Sequence, residues 1–92
     1  MLKKAAKEGF AIPAINTQGG QYDIIRACTK AAQEMRSPII LAHYVSTGAY
    51  SGHDWFVETA KWCANKVDVP VSIHLDHGDG FPICMEALRL GF

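Results

Sequence analysis

No stretch of this 92-residue sequence is apolar over the length that a bilayer demands, because a helical span takes about 20 consecutive apolar residues. Neither sign of charge is in surplus, since nine Lys and Arg balance nine Asp and Glu. A neutral chain offers no general attraction to nucleic acid or to an anionic membrane, so neither partner is expected and any anion must be met by a local site. Cysteine is sparse, and Cys28, Cys63 and Cys84 form no CxxC pair, which argues against a disulfide framework or a zinc knuckle. Each falls on the apolar side of an expected helix, where a thiol packs as a small hydrophobe. Free thiols fit a reducing compartment, and the cytoplasm is the expected location. The opening Met1-Leu2-Lys3-Lys4-Ala5-Ala6-Lys7-Glu8 reads as a short charged helix and not as a signal peptide. There is no low-complexity segment and no linker.

What is present has a globular balance, 49% hydrophobic and 20% charged, in a length that suits one small domain. Short apolar runs occur at 11–15, 39–42 and 71–75, with Pro38 and Pro70 immediately before the second and third and Pro13 inside the first. Runs of this kind, rich in Ile and Val and not strictly alternating, suit strands buried on both faces, as in a parallel sheet. A proline ahead of the run ends whatever helix precedes it.

Helical patterns fill the gaps. From Gln21 to Arg36, Ile24, Cys28, Ala31 and Met35 form one face, widened by Ile25 and Ala32. From Ser51 to Val67 the stripe is Phe56, Ala60, Cys63 and Val67, and Ser51 with Asp54 has the spacing of a capping box. A third pattern opens at Asp79-Gly80-Phe81-Pro82, runs through Ile83, Cys84, Ala87 and Leu88, and stops at Gly91, a glycine suited to the left-handed position that closes a helix. Trp55 and Trp62 lie near the apolar pattern and are expected to pack. Strand then helix, three times over, predicts an α/β fold with a parallel sheet. An open doubly wound sheet and a closed (β/α)8 barrel both use that plan, and the pattern alone leaves both open.

The chemistry is concentrated in Val71-Ser72-Ile73-His74-Leu75-Asp76-His77-Gly78-Asp79-Gly80. Here an apolar strand runs into two histidines and two aspartates, at the carboxyl end where parallel folds build their sites. Strand alternation directs His74 and Asp76 to the same side, and His77, one step on, can turn into the same space. A lone histidine at a strand end is most often structural, and Asp79 reads most simply as a helix cap. The whole cluster is harder to explain that way, because polar groups at the end of a hydrophobic strand are costly unless water, a metal or a substrate satisfies them.

These residues carry a resemblance. Gly9-Phe10-Ala11-Ile12-Pro13-Ala14-Ile15-Asn16, Ser37-Pro38-Ile39-Ile40-Leu41, Val69-Pro70-Val71-Ser72-Ile73-His74-Leu75-Asp76-His77-Gly78 and Ala87-Leu88-Arg89-Leu90-Gly91-Phe92, together with the opening Met1-Leu2-Lys3-Lys4-Ala5, resemble the class II fructose- and tagatose-bisphosphate aldolases in order and approximate spacing. The resemblance covers nearly the whole chain, and His-Leu-Asp-His after an apolar strand is its most specific part.

The resemblance implies a (β/α)8 TIM barrel that reversibly cleaves a ketose bisphosphate into dihydroxyacetone phosphate and an aldehyde, an activity of carbohydrate metabolism. It implies Zn2+ or another divalent metal as cofactor, a sugar phosphate as the small-molecule partner and a homo-oligomeric complete protein. By the same resemblance, His77 is a metal ligand and Asp76 is the acid/base at the C4 hydroxyl. His74 lies close to the metal without being a primary ligand, while Asn16 and Ser46 touch substrate. The family usually carries Ser or Thr and small residues after the second strand; this chain has His43-Tyr44-Val45 there, with Ser46 and Thr47 later. His43 is therefore expected to be structural or to touch substrate.

A barrel of this kind takes about 250 residues. Residues 1–92 are accordingly expected to be the N-terminal part of one barrel domain, roughly its first three βα units, and inactive by themselves. Two other readings compete with an enzyme: a non-catalytic aldolase-like subunit that stabilises a partner, and a small standalone α/β binding module.

Overall fold

A computed structural model describes every residue from Met1 to Phe92. In chain order the elements are α1 (Leu2–Glu8), β1 (Ala14–Asn16), α2 (Tyr22–Met35), β2 (Ile39–Tyr44), α3 (Val45–Ser51), α4 (His53–Ala64), β3 (Val71–Asp76) and α5 (Phe81–Leu90). The strands form one parallel sheet in the order β1-β2-β3, so strands consecutive in sequence are neighbours in space. This is the expected α/β plan.

One face of the sheet carries the core. Ile39 and Leu41 of β2 pack against Ile25 and Ala32 of α2 and against Phe56, Val57, Ala60 and Cys63 of α4, with Val71 and Ile73 of β3 packed against the same cluster. Both helices therefore lie on the same side of the sheet. Alternation puts Ile40, Ala42 and Tyr44 of β2 on the other face. Register aligns them with Ser72, His74 and Asp76 of β3, and aligns Ala14 and Asn16 of β1 with Ile40 and Ala42. No helix covers that second face, where Ala14, Asn16 and His74 are exposed.

Several local expectations change. The first strand is Ala14–Asn16 rather than 11–15, since Pro13 has no N–H to pair and only its carbonyl enters the ladder, accepting from the Ile40 amide at 3.0 Å. The buried face of α2 centres on Ile25, Thr29 and Ala32. Cys28 packs partly buried against the same core, while Ala31 and Met35 are exposed and line a groove of about 720 Å3 beside β1, with Ile15 and Ile39. The stretch expected as one helix from Ser51 is broken at Gly52 (φ 94°, ψ 124°), which ends α3 and precedes α4. Ser51 consequently does not cap α4: its hydroxyl donates to the Thr47 carbonyl one turn back, at 2.9 Å. Asp54 accepts from the amide of its own neighbour, Trp55. Nor does Asp79 cap α5, whose N-cap is Gly80 with no side-chain hydrogen bond. Gly91 does close α5 in the left-handed conformation (φ 101°), donating to the Ala87 and Leu88 carbonyls.

Trp55 and Trp62 are not core residues, being about half exposed. Trp55 donates its indole N–H to the Gly20 carbonyl at 3.1 Å, while Trp62 lies between Tyr22 and the Lys66 ammonium. No helix is long and apolar enough to cross a membrane.

Candidate active site

Three polar side chains converge where β3 ends. Asp76 is its last residue, and its carboxylate stands between two imidazoles: His74 Nε2 is 4.0 Å from Oδ1, and His77 Nε2 is 3.9 Å from Oδ2. His74 and Asp76 share a face because they are two residues apart on a strand. His77 reaches the same space by a different route. Its backbone turns into the left-handed region (φ 69°), an uncommon conformation for a residue with a Cβ. The turn is supported by its own amide donating to Asp76 Oδ1 at 3.1 Å and by the Gly78 amide donating to the Asp76 carbonyl at 3.0 Å. Gly78 (φ 64°) and Gly80 (φ 150°) then carry the chain into α5.

The neighbouring strands complete the row. Asn16, Ala42 and His74 are aligned across the sheet, and Tyr44 is aligned with Asp76 one step nearer the strand ends. Asn16 Oδ1 accepts from the Gln18 amide at 3.1 Å. Next to it, the buried Thr17 hydroxyl donates to the Ala42 carbonyl at 2.9 Å, tying the end of β1 to β2. Asn16, His74, Asp76 and His77, all expected as site residues, thus sit at the carboxyl ends of β1 and β3, on either side of β2. Asp79 is exposed on the loop beyond them.

Ser46 is not brought to this row. It is an exposed residue of α3 and lines a shallow cleft with Gln18, Gly19, Thr47 and Tyr50. Tyr44 holds the place beside Asp76, its ring 4.7 Å from the His77 ring and tilted by 59°. The only sequence signal for Tyr44 was its position at the end of an apolar run.

His43, adjacent in sequence, lies on the opposite face. It is fully buried, stacked on Phe56 with centroids 4.1 Å apart and planes within 8°. His53 meets it edge-on at 5.2 Å. Burial first, and the neighbouring His53 second, hold the His43 imidazole neutral by lowering its pKa to about 4. Its two nitrogens and His53 Nδ1 have no hydrogen-bond partner among the 92 residues. His43 is a structural residue behind the sheet. The cysteines are free, and burial pushes the Cys28 and Cys63 thiols up, away from the reactive thiolate.

The fit of a metal can be judged from these donors. His74 and His77 present two imidazoles near one carboxylate, but no three His, Cys, Asp or Glu side chains are placed to hold an ion together. A catalytic zinc takes three protein ligands and an open position. The donors within residues 1–92 therefore do not make a metal site by themselves.

A family model described as "Fructose-bisphosphate aldolase class-II" matches residues 1–92. The chain is 37% identical over 92 residues to a fructose-bisphosphate aldolase of Thermus caldophilus, covering all of this chain and 29% of that protein. It is 39% identical over 97 residues to a fructose-bisphosphate aldolase of Mycoplasma pneumoniae, covering all of this chain and 32% of that protein. Among solved structures, the YdjI aldolase from Escherichia coli K12 superposes with a TM-score of 0.87 at 26% identity, over 98% of this chain and 34% of that one. The chain thus spans about a third of the length of the relatives it matches.

Proposed function

The chain belongs to the class II fructose-bisphosphate aldolase family, and from that premise we propose that the complete protein is a metal-dependent aldolase. Its reaction is reversible cleavage of a ketose bisphosphate, of the fructose or tagatose 1,6-bisphosphate type, into dihydroxyacetone phosphate and an aldehyde. The observation that carries this reading is the placement of the Asp76 carboxylate between His74 and His77 at the carboxyl end of β3.

In the cleavage direction the Asp76 carboxylate takes the proton of the substrate's C4 hydroxyl as the C3–C4 bond breaks and the aldehyde forms. The bond's electron pair passes to the three-carbon fragment as an enediolate, which is then protonated at the former C3 by an acid outside residues 1–92; in condensation Asp76 returns its proton. This is general acid–base chemistry, which asks for a group within hydrogen-bond reach of the reacting hydroxyl. Asn16, in the row below, orients the sugar through its side-chain amide. Ser46, which lines the separate cleft on α3, is given a substrate contact by the family resemblance alone. His77 would be one metal ligand and His74 would support the ligands without being one, the remaining donors coming from outside residues 1–92. A divalent metal, zinc by the family resemblance, supplies Lewis-acid stabilisation when bound.

The proposed architecture is a single (β/α)8 barrel domain to which residues 1–92 contribute the first three βα units. Support comes from the sequential parallel order and from α2 and α4 lying on one face of the sheet. In doubly wound sheets the strand order reverses and helices cover both faces. A closed barrel keeps one sense and lines its interior with the helix-free face. The groove beside β1 and the unpaired edge of β3 are where further βα units would pack.

The test is zinc content and aldol cleavage of the full-length protein, assayed with fructose and tagatose 1,6-bisphosphates. Zinc-loaded protein that cleaves neither substrate would overturn the reading, and full-length protein that binds no metal would favour a non-catalytic subunit.

A further inference from the structure

We propose that Tyr44 is the positioning residue for His77, its ring holding the imidazole against Asp76 at the mouth of the site; the inference rests on reading that strand end as the active site of an aldolase. The two side chains differ in how firmly they are anchored. Tyr44 ends β2 in register with Asp76 of β3, and its carbonyl accepts the Thr47 hydroxyl at 2.9 Å as α3 begins. Its backbone is therefore fixed on both sides. His77 stands beyond the last residue of β3, with a left-handed backbone and with Gly78 and Gly80 after it. Its side chain is 62% exposed.

A solvated histidine in such a place has several rotamers open to it. The Asp76 carboxylate, 3.9 Å away, restrains it weakly, because an exposed charge contact is screened by water. The Tyr44 ring, at 4.7 Å and 59°, is a tilted aromatic pair, a geometry that favours one orientation over its alternatives by roughly two- to tenfold. What holds His77 is the ring face and its bulk. The phenol hydroxyl is dispensable for that role, so phenylalanine should substitute for tyrosine where alanine should not.

The experiment reads His77 in metal-free, full-length protein with isotopically labelled histidine, its resonances being assigned by their loss in His77→Gln, and reads kcat/KM in the same proteins after loading with zinc. In the wild type, the His77 ring protons should show the ring-current shift of a neighbouring aromatic. Tyr44→Ala should abolish that shift and lower kcat/KM by roughly two- to tenfold, whereas Tyr44→Phe should restore most of both. Tyr44→Leu keeps the bulk without the ring current and serves if the alanine variant does not fold. Glu34→Ala, at a solvated side chain on α2, should change neither readout. The proposal fails if the His77 shift and kcat/KM are unchanged in Tyr44→Ala and Tyr44→Leu, or if Tyr44→Phe is as damaging as Tyr44→Ala. A wild-type protein that cleaves no ketose bisphosphate would defeat the aldolase reading, while the couplings across the His77 Cα–Cβ bond, single-rotamer in the wild type and in Tyr44→Phe and rotamer-averaged in Tyr44→Ala, decide separately whether Tyr44 holds His77.

Discussion

The imidazole of His43 lies flat on the phenyl ring of Phe56, 4.1 Å between centroids and 8° between planes. That contact is available to a neutral ring inside an apolar core. Protonation would place a charge there with His53 edge-on beside it, which burial and the second imidazole both oppose. The same geometry makes His43 a determinant of acid stability.

The sign follows from linkage. The pKa of His43 is lowered in the folded protein from 6.5 to about 4, so between those values the unfolded chain holds a proton that the folded chain does not. The contribution is fully present above pH 6.5, falls as pH drops toward 4, and changes no further below that, a span of about 3 kcal/mol. Urea unfolding of the full-length protein at pH 7.5 and 4.5 should show this loss, and His43→Leu should flatten it. A variant with the wild-type slope would remove His43 as the cause.

Gly48→Ala should destabilise the protein by about 1–3 kcal/mol, the usual range for overpacking. A Cβ at this position would run into the rings of both His53 and His43, and the His43 ring is held by Phe56 and Phe92. The denaturation midpoint is the measurement. An unchanged midpoint would mean that the two rings can move apart at no cost.

Within the proposed site, three substitutions should separate. Asp76→Ala should keep the metal and lose turnover by roughly 10²- to 10⁴-fold, the range for a removed acid/base. His77→Ala should lower the metal content of the purified full-length protein. His74→Ala should weaken metal affinity by roughly 10- to 100-fold, as expected of a group that supports a ligand. Elemental analysis alongside cleavage rates distinguishes them, and equal metal loss in all three would contradict the separate roles.

Residues 1–92 expressed alone should self-associate. β1 and β3 are both edge strands, and the apolar groove lined by Ile15, Ala31, Met35 and Ile39 adjoins β1. Open edges next to apolar surface are templates for pairing with other chains. Sedimentation velocity should show species larger than a monomer; a stable monomer over a broad concentration range would favour the standalone module.

Much of this was legible along the chain. The proline before each of β2 and β3, the end of α5 at Gly91 and the buried stripe Phe56, Ala60 and Cys63 all follow from local chemistry, and each stands where expected. His74, Asp76 and His77 were legible because a polar cluster at the end of an apolar run is itself anomalous. Less visible was α3: Val45-Ser46-Thr47-Gly48-Ala49-Tyr50-Ser51 is poor in strong helix formers and contains a glycine. Its helical form depends on packing against β2 and α4.

By itself the sequence determined the alternation of three strands with α2, α4 and α5, the parallel plan and the segment that carries the chemistry, because these depend on residue type and spacing within a few positions. Tertiary structure alone decided which face each residue of β2 presents. Ile39-Ile40-Leu41-Ala42-His43-Tyr44 is apolar until its end, so its alternation has no readable phase, and polarity alone would have sent His43 to the site. Pairing with β1 and β3, anchored by the Ile39 amide on the Pro70 carbonyl and the Ile40 amide on the Pro13 carbonyl, sets that phase. A slip of one residue would exchange the two faces. Contacts distant in sequence therefore put Tyr44 beside Asp76 and His43 behind the sheet.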